Sequence, residues 1–170
     1  MFMNHDDGLR IRAFDPIRDA AAIRRCFVDL QNHEHAYSPH SPTGEELASE
    51  YVPFMIERAM QPGNAFLVAE LAGAVIGFAT ALRTASAEPD DTDPFHFELA
   101  ELSVVTEQQN KGVGTALIDA VARHARSHGA PNLRVRVDIA NSDAQRLYRR
   151  IGFEPAVAML VMPLTSDGRW

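Results

Sequence analysis

The chain has one cysteine in 170 residues, no long apolar run and no excess of positive charge. Each of these scarcities excludes something. A lone thiol, Cys26, cannot close an internal disulfide, which suits a reducing compartment and gives a cytoplasmic location as the expectation. No stretch approaches the ~20 consecutive apolar residues that a membrane-spanning helix needs, so no membrane partner is expected. The first residues, Met-Phe-Met-Asn-His-Asp-Asp, are acidic and lack the basic start and apolar centre of a secretion signal. Phosphate contacts require a basic face, and with a net charge of −7 nucleic acid is not an expected partner. No internal repeat and no linker-like composition divides the chain, which reads as one domain over residues 1–170.

The charge that is present is unevenly spread. Residues 1–100 carry 7 Lys/Arg against 16 Asp/Glu, and residues 101–170 carry 9 against 7. Such a division suits a cationic small molecule on one side and an anionic one on the other, or it simply keeps the surface solvated.

Periodicity places the elements. Residues 9–14 read as a first strand, closed by Asp15-Pro16, a helix start. Ile23, Cys26, Phe27 and Leu30 then form one apolar stripe, and the helix is expected to dissolve over 33–42. Thr43-x-x-Glu46 spells a capping box for a second helix reaching about Met60. Residues 66–71 and 75–82 read as a hairpin. An acidic, proline-bearing loop over 85–94 follows, either a cover for a cleft or a solvated connector. A central strand is expected over 95–105, a helix from about Gly112, a strand over 133–137, a helix over 143–151 and a last strand over 157–162. The elements thus run β-α-α-β-β-β-α-β-α-β.

The stretch between the central strand and the next helix is the most informative. Glycines at a helix start let a ligand approach exposed N–H groups, a site for phosphate oxygens. The Walker A spelling fails because Lys111 precedes the glycines, and the dinucleotide fingerprint fails because Leu117 stands where its third glycine belongs. Gln109-x-x-Gly112-x-Gly114 remains, a pyrophosphate cradle of another kind. A second block, Asn141-x-x-Ala144-x-x-Leu147-Tyr148-x-x-x-Gly152-Phe153, lies downstream. Together, in this order and at this separation, the two blocks resemble the signatures of the GNAT superfamily of N-acetyltransferases; the match is close over about residues 95–155.

The element order is that family's too, so the resemblance implies an α/β fold class, a mixed central β-sheet with helices on both faces. The resemblance also implies acetyl-CoA as cofactor and acetyl transfer to a primary amine, by direct attack in a ternary complex. It assigns the coenzyme to Gln109, Asn110, Lys111, Gly112, Val113, Gly114 and Thr115. A backbone N–H near Leu102, Ser103 or Val104 would polarise the carbonyl, and Asn141 would meet the pantetheine arm. Asn141 also reads as an ordinary helix cap. Tyr148 corresponds to the family's proton donor, although its place on an apolar stripe also suits simple packing. Glu98 and Glu101 are the candidate bases. Strict alternation would put them on opposite strand faces, unless a bulge shifts the register. His33, Tyr37 and Glu101 fall where the family walls its acceptor site. No metal is expected: a zinc-protease helix opening at His33-Glu34 needs histidine at 37, where Tyr37 stands. The acidic first half favours a small-molecule amine of positive charge. A peptide N-terminus as acceptor, or a non-catalytic acyl-CoA sensor, stand as alternatives, and a homodimer is compatible with the resemblance.

Overall fold

The structure, a computed structural model, describes residues 8–38, 40–86 and 93–161. Strand β1 (Arg10–Ala13) leads into helices α1 (Pro16–His35) and α2 (Gly44–Ala59). Strands β2 (Ala65–Leu71), β3 (Ala74–Ala85) and β4 (Phe95–Val104) follow, then α3 (Val113–Ser127), β5 (Leu133–Val135) and α4 (Ser142–Ile151). The sheet order is β1-β2-β3-β4-β5, antiparallel except for the parallel β4–β5 pair, so the expected mixed sheet is observed.

Helix starts follow their capping residues. Asp15 accepts from the N–H groups of Ile17 and Arg18 ahead of Pro16, and Thr43 with Glu46 forms the reciprocal capping box. Asn141 accepts from the Ala144 N–H. Gly44 allows α1 and α2 to cross closely, since a Cβ there would lie 2.4 Å from the Val28 carbonyl oxygen.

The two sheet faces differ in side-chain size. Phe66, Val68, Phe78 and Leu82 meet Ile23, Cys26 and Phe27 of α1 and Val52 and Met55 of α2. On the opposite face Ala65, Ala69, Ala79 and Ala81 let α3 approach with Val113, Leu117, Ile118 and Val121. The α1 start is tied to the sheet by charge. Arg12 donates to both oxygens of the buried Asp19, at 2.6 and 2.8 Å, and to Glu70 at 2.8 Å.

Three expectations are corrected. Helix α1 continues through His35 instead of dissolving at His33, because no glycine or proline interrupts it before residue 36. Strand β5 stops at Val135, two residues short of the expected end. The strand expected over 157–162 is not formed over 157–161, where Val157, Met159, Leu160 and Val161 are exposed; Met162 lies outside the described residues. Residues 87–92 of the acidic loop also lie outside them.

Candidate active site

The site begins with an irregularity in β4. Leu99 pairs with Ala81 and Glu101 with Thr80, so Ala100 is an extra residue, a β-bulge. An inserted residue reverses the alternation beyond it. Glu98, opposite Leu82, and Glu101, opposite Thr80, therefore share the face that carries α1 and α2. The bulge that the sequence left open is present, and it brings both carboxylates to one side.

Their surroundings differ. Glu101 accepts from the Tyr51 hydroxyl at 2.7 Å through Oε1 and from the Thr80 hydroxyl through Oε2. Glu98 accepts from the Arg136 guanidinium, whose Nε and terminal nitrogen each lie 2.8 Å from Oε1. A cleft of about 200 Å³ opens beside Glu101, between Glu34 of α1, Tyr51 of α2 and Tyr148 of α4, with Leu102 also on its wall. A smaller cavity of about 90 Å³ adjoins it, and Tyr51, Glu101 and Arg136 border both. Glu98 and Arg58 line only the smaller one.

Burial pushes the Tyr148 hydroxyl up to about 12, and the charge of Glu34 adds to the shift. Tyr51 is raised further, by burial and then by the charge and hydrogen bond of Glu101. Much of Glu34 is open to solvent, yet partial desolvation holds its carboxyl above the ordinary range; His33 opposes this, while Glu101 and Asp138 reinforce it. Both tyrosines thus keep their protons at neutral pH. Tyr148 packs edge-on against Phe153, with ring centroids 5.5 Å apart.

Along β4, the cleft leads to the glycine loop. Pairing with β5 ends at Leu99↔Val135, and β4 continues alone on that side to Val104. The loop turns through two left-handed residues, Asn110 (φ 59°) and Gly112 (φ 86°), before α3 starts. Asp15, Thr43 and Asn141 cap their helices with side chains, whereas Gly112 at the start of α3 has none to offer. The first-turn N–H groups of α3 thus depend on water or a ligand anion for an acceptor. Gly114 faces both Val104 and α4, where an added Cβ would lie 3.6 Å from Leu147 Cδ2. These features fit a pyrophosphate held by backbone amides.

The other residues singled out in the sequence are placed as follows. Val113 is buried in the core and can offer only its backbone. The Ser103 hydroxyl donates to the Cys26 carbonyl, away from the cleft. The Gln109 side chain donates to the Val104 carbonyl at 3.0 Å, bracing the loop. Lys111 is exposed and Thr115 half-buried. His33 and Tyr37 meet each other, with rings 5.2 Å apart, and border neither cavity. The sequence reading missed Tyr51, Thr80, Glu34 and Arg136. Thr80 had a visible signal, as a hydroxyl inside the apolar run 75–82; Tyr51 looked like one more residue of a packed helix.

A model of the acetyltransferase (GNAT) family matches residues 27–153. A mycothiol acetyltransferase of Thermobispora bispora is 33% identical over 147 residues, which are 86% of this chain and 47% of that protein. One of Thermomonospora curvata is 30% identical over 147 residues, 86% of this chain and 44% of that protein. The chain thus spans about half the length of the curated relatives it matches. Among solved structures, an aminoglycoside N-acetyltransferase in complex with CoA superposes with a TM-score of 0.72 at 18% identity, covering 96% of this chain and 99% of that one. A GCN5-related N-acetyltransferase of Ralstonia eutropha superposes with a TM-score of 0.71 at 16% identity, over 92% of this chain and 99% of that one.

Proposed function

This chain belongs to the acetyltransferase (GNAT) family, and from that premise we propose that it transfers an acetyl group from acetyl-CoA to the primary amine of a small cationic molecule. The observation that carries the reading is the cleft in which Glu101 and Tyr148 meet beside the partly desolvated Glu34. Carboxylates there attract and orient an ammonium group, and an ordered water relays its proton to Glu101 or outward. The relatives are named for mycothiol, which is consistent with a small-molecule acceptor.

Acetyl-CoA supplies an acetyl group activated as a thioester: a C–N bond forms as the C–S bond breaks, one proton leaves the amine and one is delivered to sulfur. The N–H groups at the start of α3, from Val113 to Thr115, hold the pyrophosphate, with Gly112 leaving room for it. Backbone of β4 beyond Leu99, near Leu102 and Val104, aligns the pantetheine arm and donates to the carbonyl oxygen. Asn141 meets the arm from the α4 side. Tyr148 holds the proton destined for sulfur. Glu101 serves the amine in preference to Glu98, whose carboxylate is engaged by Arg136.

Thiol release from acetyl-CoA, measured with a polyamine, an amino acid, an aminoglycoside, the acceptor of the mycothiol enzymes and a peptide N-terminus, tests this reading. Turnover with a small amine supports it. Turnover with the peptide alone moves the acceptor class to protein N-termini, and acetyl-CoA binding without any turnover leaves a sensor. The cradle has a separate test. Gly112→Asp places a carboxylate where the phosphates sit, and aspartate is among the few residues besides glycine that visit the left-handed conformation. Coenzyme A affinity by calorimetry should fall at least about tenfold, since like charges ~4 Å apart near a protein surface repel by several kcal/mol, with Tm little changed. Unchanged affinity would remove the assignment of this loop.

A further inference from the structure

Glu101 is held from two elements. The Tyr51 hydroxyl of α2 reaches Oε1 at 2.7 Å, the Thr80 hydroxyl of β3 reaches Oε2, and the Glu101 N–H returns to Thr80 Oγ1 at 3.1 Å. Neither clamp is free to swing. Thr80 is fully buried, and the Tyr51 ring stacks on Phe27 with centroids 5.0 Å apart and planes 17° from parallel. A carboxylate on a bulged strand would otherwise rotate about its side-chain torsions. Two donors on separate elements set its plane and leave its remaining lone pairs toward the cleft. Tyr51 also lies on the wall shared by the cleft and the smaller cavity, with Glu101 and Arg136.

We propose that Tyr51, backed by Thr80, is a positioning residue that fixes the Glu101 carboxylate against the acceptor amine. Its kinetic consequence rests on the acetyl-transfer reading; the clamp itself does not. Engaged with Glu101, the Tyr51 hydroxyl is not the proton source for sulfur, which leaves that role to Tyr148. The charged and titratable groups around Glu101 come from every neighbouring element: Glu34 of α1, Arg58 of α2, Glu98 of β4, Arg136 after β5 and Tyr148 of α4. Among the described residues, Tyr51 and Thr80 are the side chains that hydrogen-bond the Glu101 carboxylate.

Tyr51→Phe keeps the stacked ring and removes one donor. In protein carrying ¹³C-carboxyl glutamate, with Glu101 assigned by comparison with Glu101→Gln, the Glu101 carboxyl resonance at neutral pH should move without any substrate, because the carboxylate loses the Tyr51 donor. At neutral pH, kcat/KM for the acceptor should fall about tenfold, while KM for acetyl-CoA is unchanged. Thr80→Ser, which retains a hydroxyl, should match the unsubstituted protein in both measurements. An unmoved Glu101 resonance in folded Tyr51→Phe, or a rise in acetyl-CoA KM equal to the acceptor loss, overturns the proposal. A moved Glu101 resonance with no amine acetylated supports the clamp and overturns the transfer reading. Should Tyr51→Phe not fold, the unsubstituted protein decides: a slowly exchanging tyrosine hydroxyl proton with a cross-peak to Glu101 supports the clamp, and its absence overturns it.

Discussion

Replacing Tyr148 by phenylalanine should slow acetyl transfer by about two orders of magnitude, within the ~10²–10⁴-fold that general acid catalysis contributes. The change removes one oxygen. The ring stays against Phe153 and beside Leu147, so Tm and coenzyme A affinity should hardly move. The hydroxyl makes no hydrogen bond with another described residue, and its proton is retained up to about pH 12 by burial and the charge of Glu34. It is therefore a free donor throughout the working range. The acidic form is the active one, so the rate loss tied to Tyr148 belongs only to the approach to pH 12. A loss at lower pH must come from another group. A coenzyme A thiolate is a tolerable leaving group, which is why the expected loss is partial. Full turnover by Tyr148→Phe, with chemistry rate-limiting and a good amine, would make Tyr148 a packing residue and water the proton source.

The largest expected change in stability comes from Asp19→Ala. Asp19 is 1% exposed and takes two hydrogen bonds from Arg12, itself 12% exposed, and one from the Asp15 N–H at 2.9 Å. Removing one partner of a buried pair leaves the other charge uncompensated, at ~3–5 kcal/mol; about 3 kcal/mol is expected because Glu70 still accepts from Arg12. The hydrogen bonds of Arg12, outweighing desolvation, hold the Asp19 carboxyl below its ordinary value of 3.8. A depressed carboxyl contributes stability that is present above pH 3.8 and lost as pH falls below it through the folded value. The gap between Asp19→Ala and the unsubstituted protein in urea unfolding should therefore be full at neutral pH and shrink below about pH 4. A gap that stays constant into acid would mean the ion pair is not its source. Because Asp19 lies far along α1 from the cleft residue Glu34, coenzyme A affinity at low temperature should be spared.

The glycine-bearing start of α3 was legible in sequence because its information is local. Two glycines, a lysine in the wrong place for Walker A and an uncapped helix start lie within seven residues, from Gln109 to Thr115. The block from Asn141 to Phe153 is equally compact, and its capping asparagine and glycine stop are both where a helix needs them. Asp15 and the Thr43–Glu46 box marked their helices for the same reason. His33 and Tyr37, expected on the acceptor wall, face each other and border neither cavity, and it is Glu34, one residue beyond His33, that lines the cleft.

By itself, then, the sequence determined the α/β element order through α4, the family signature blocks and the position of Tyr148, all through hydrogen bonds and periodicities that span a few residues. Only the tertiary structure decided what the carboxylates are. The bulge at Ala100 exists in the pairing of β4 with β3, and the donors to Glu101 lie 21 residues away at Thr80 and 50 away at Tyr51. Arg136, 38 residues beyond Glu98, claims the second carboxylate. Such partners are chosen when the sheet assembles and α2 packs onto it, and one inserted residue in a strand reverses every side chain beyond it. Local sequence carries no record of that register, which is why the distinction between Glu98 and Glu101 emerges only in the folded chain.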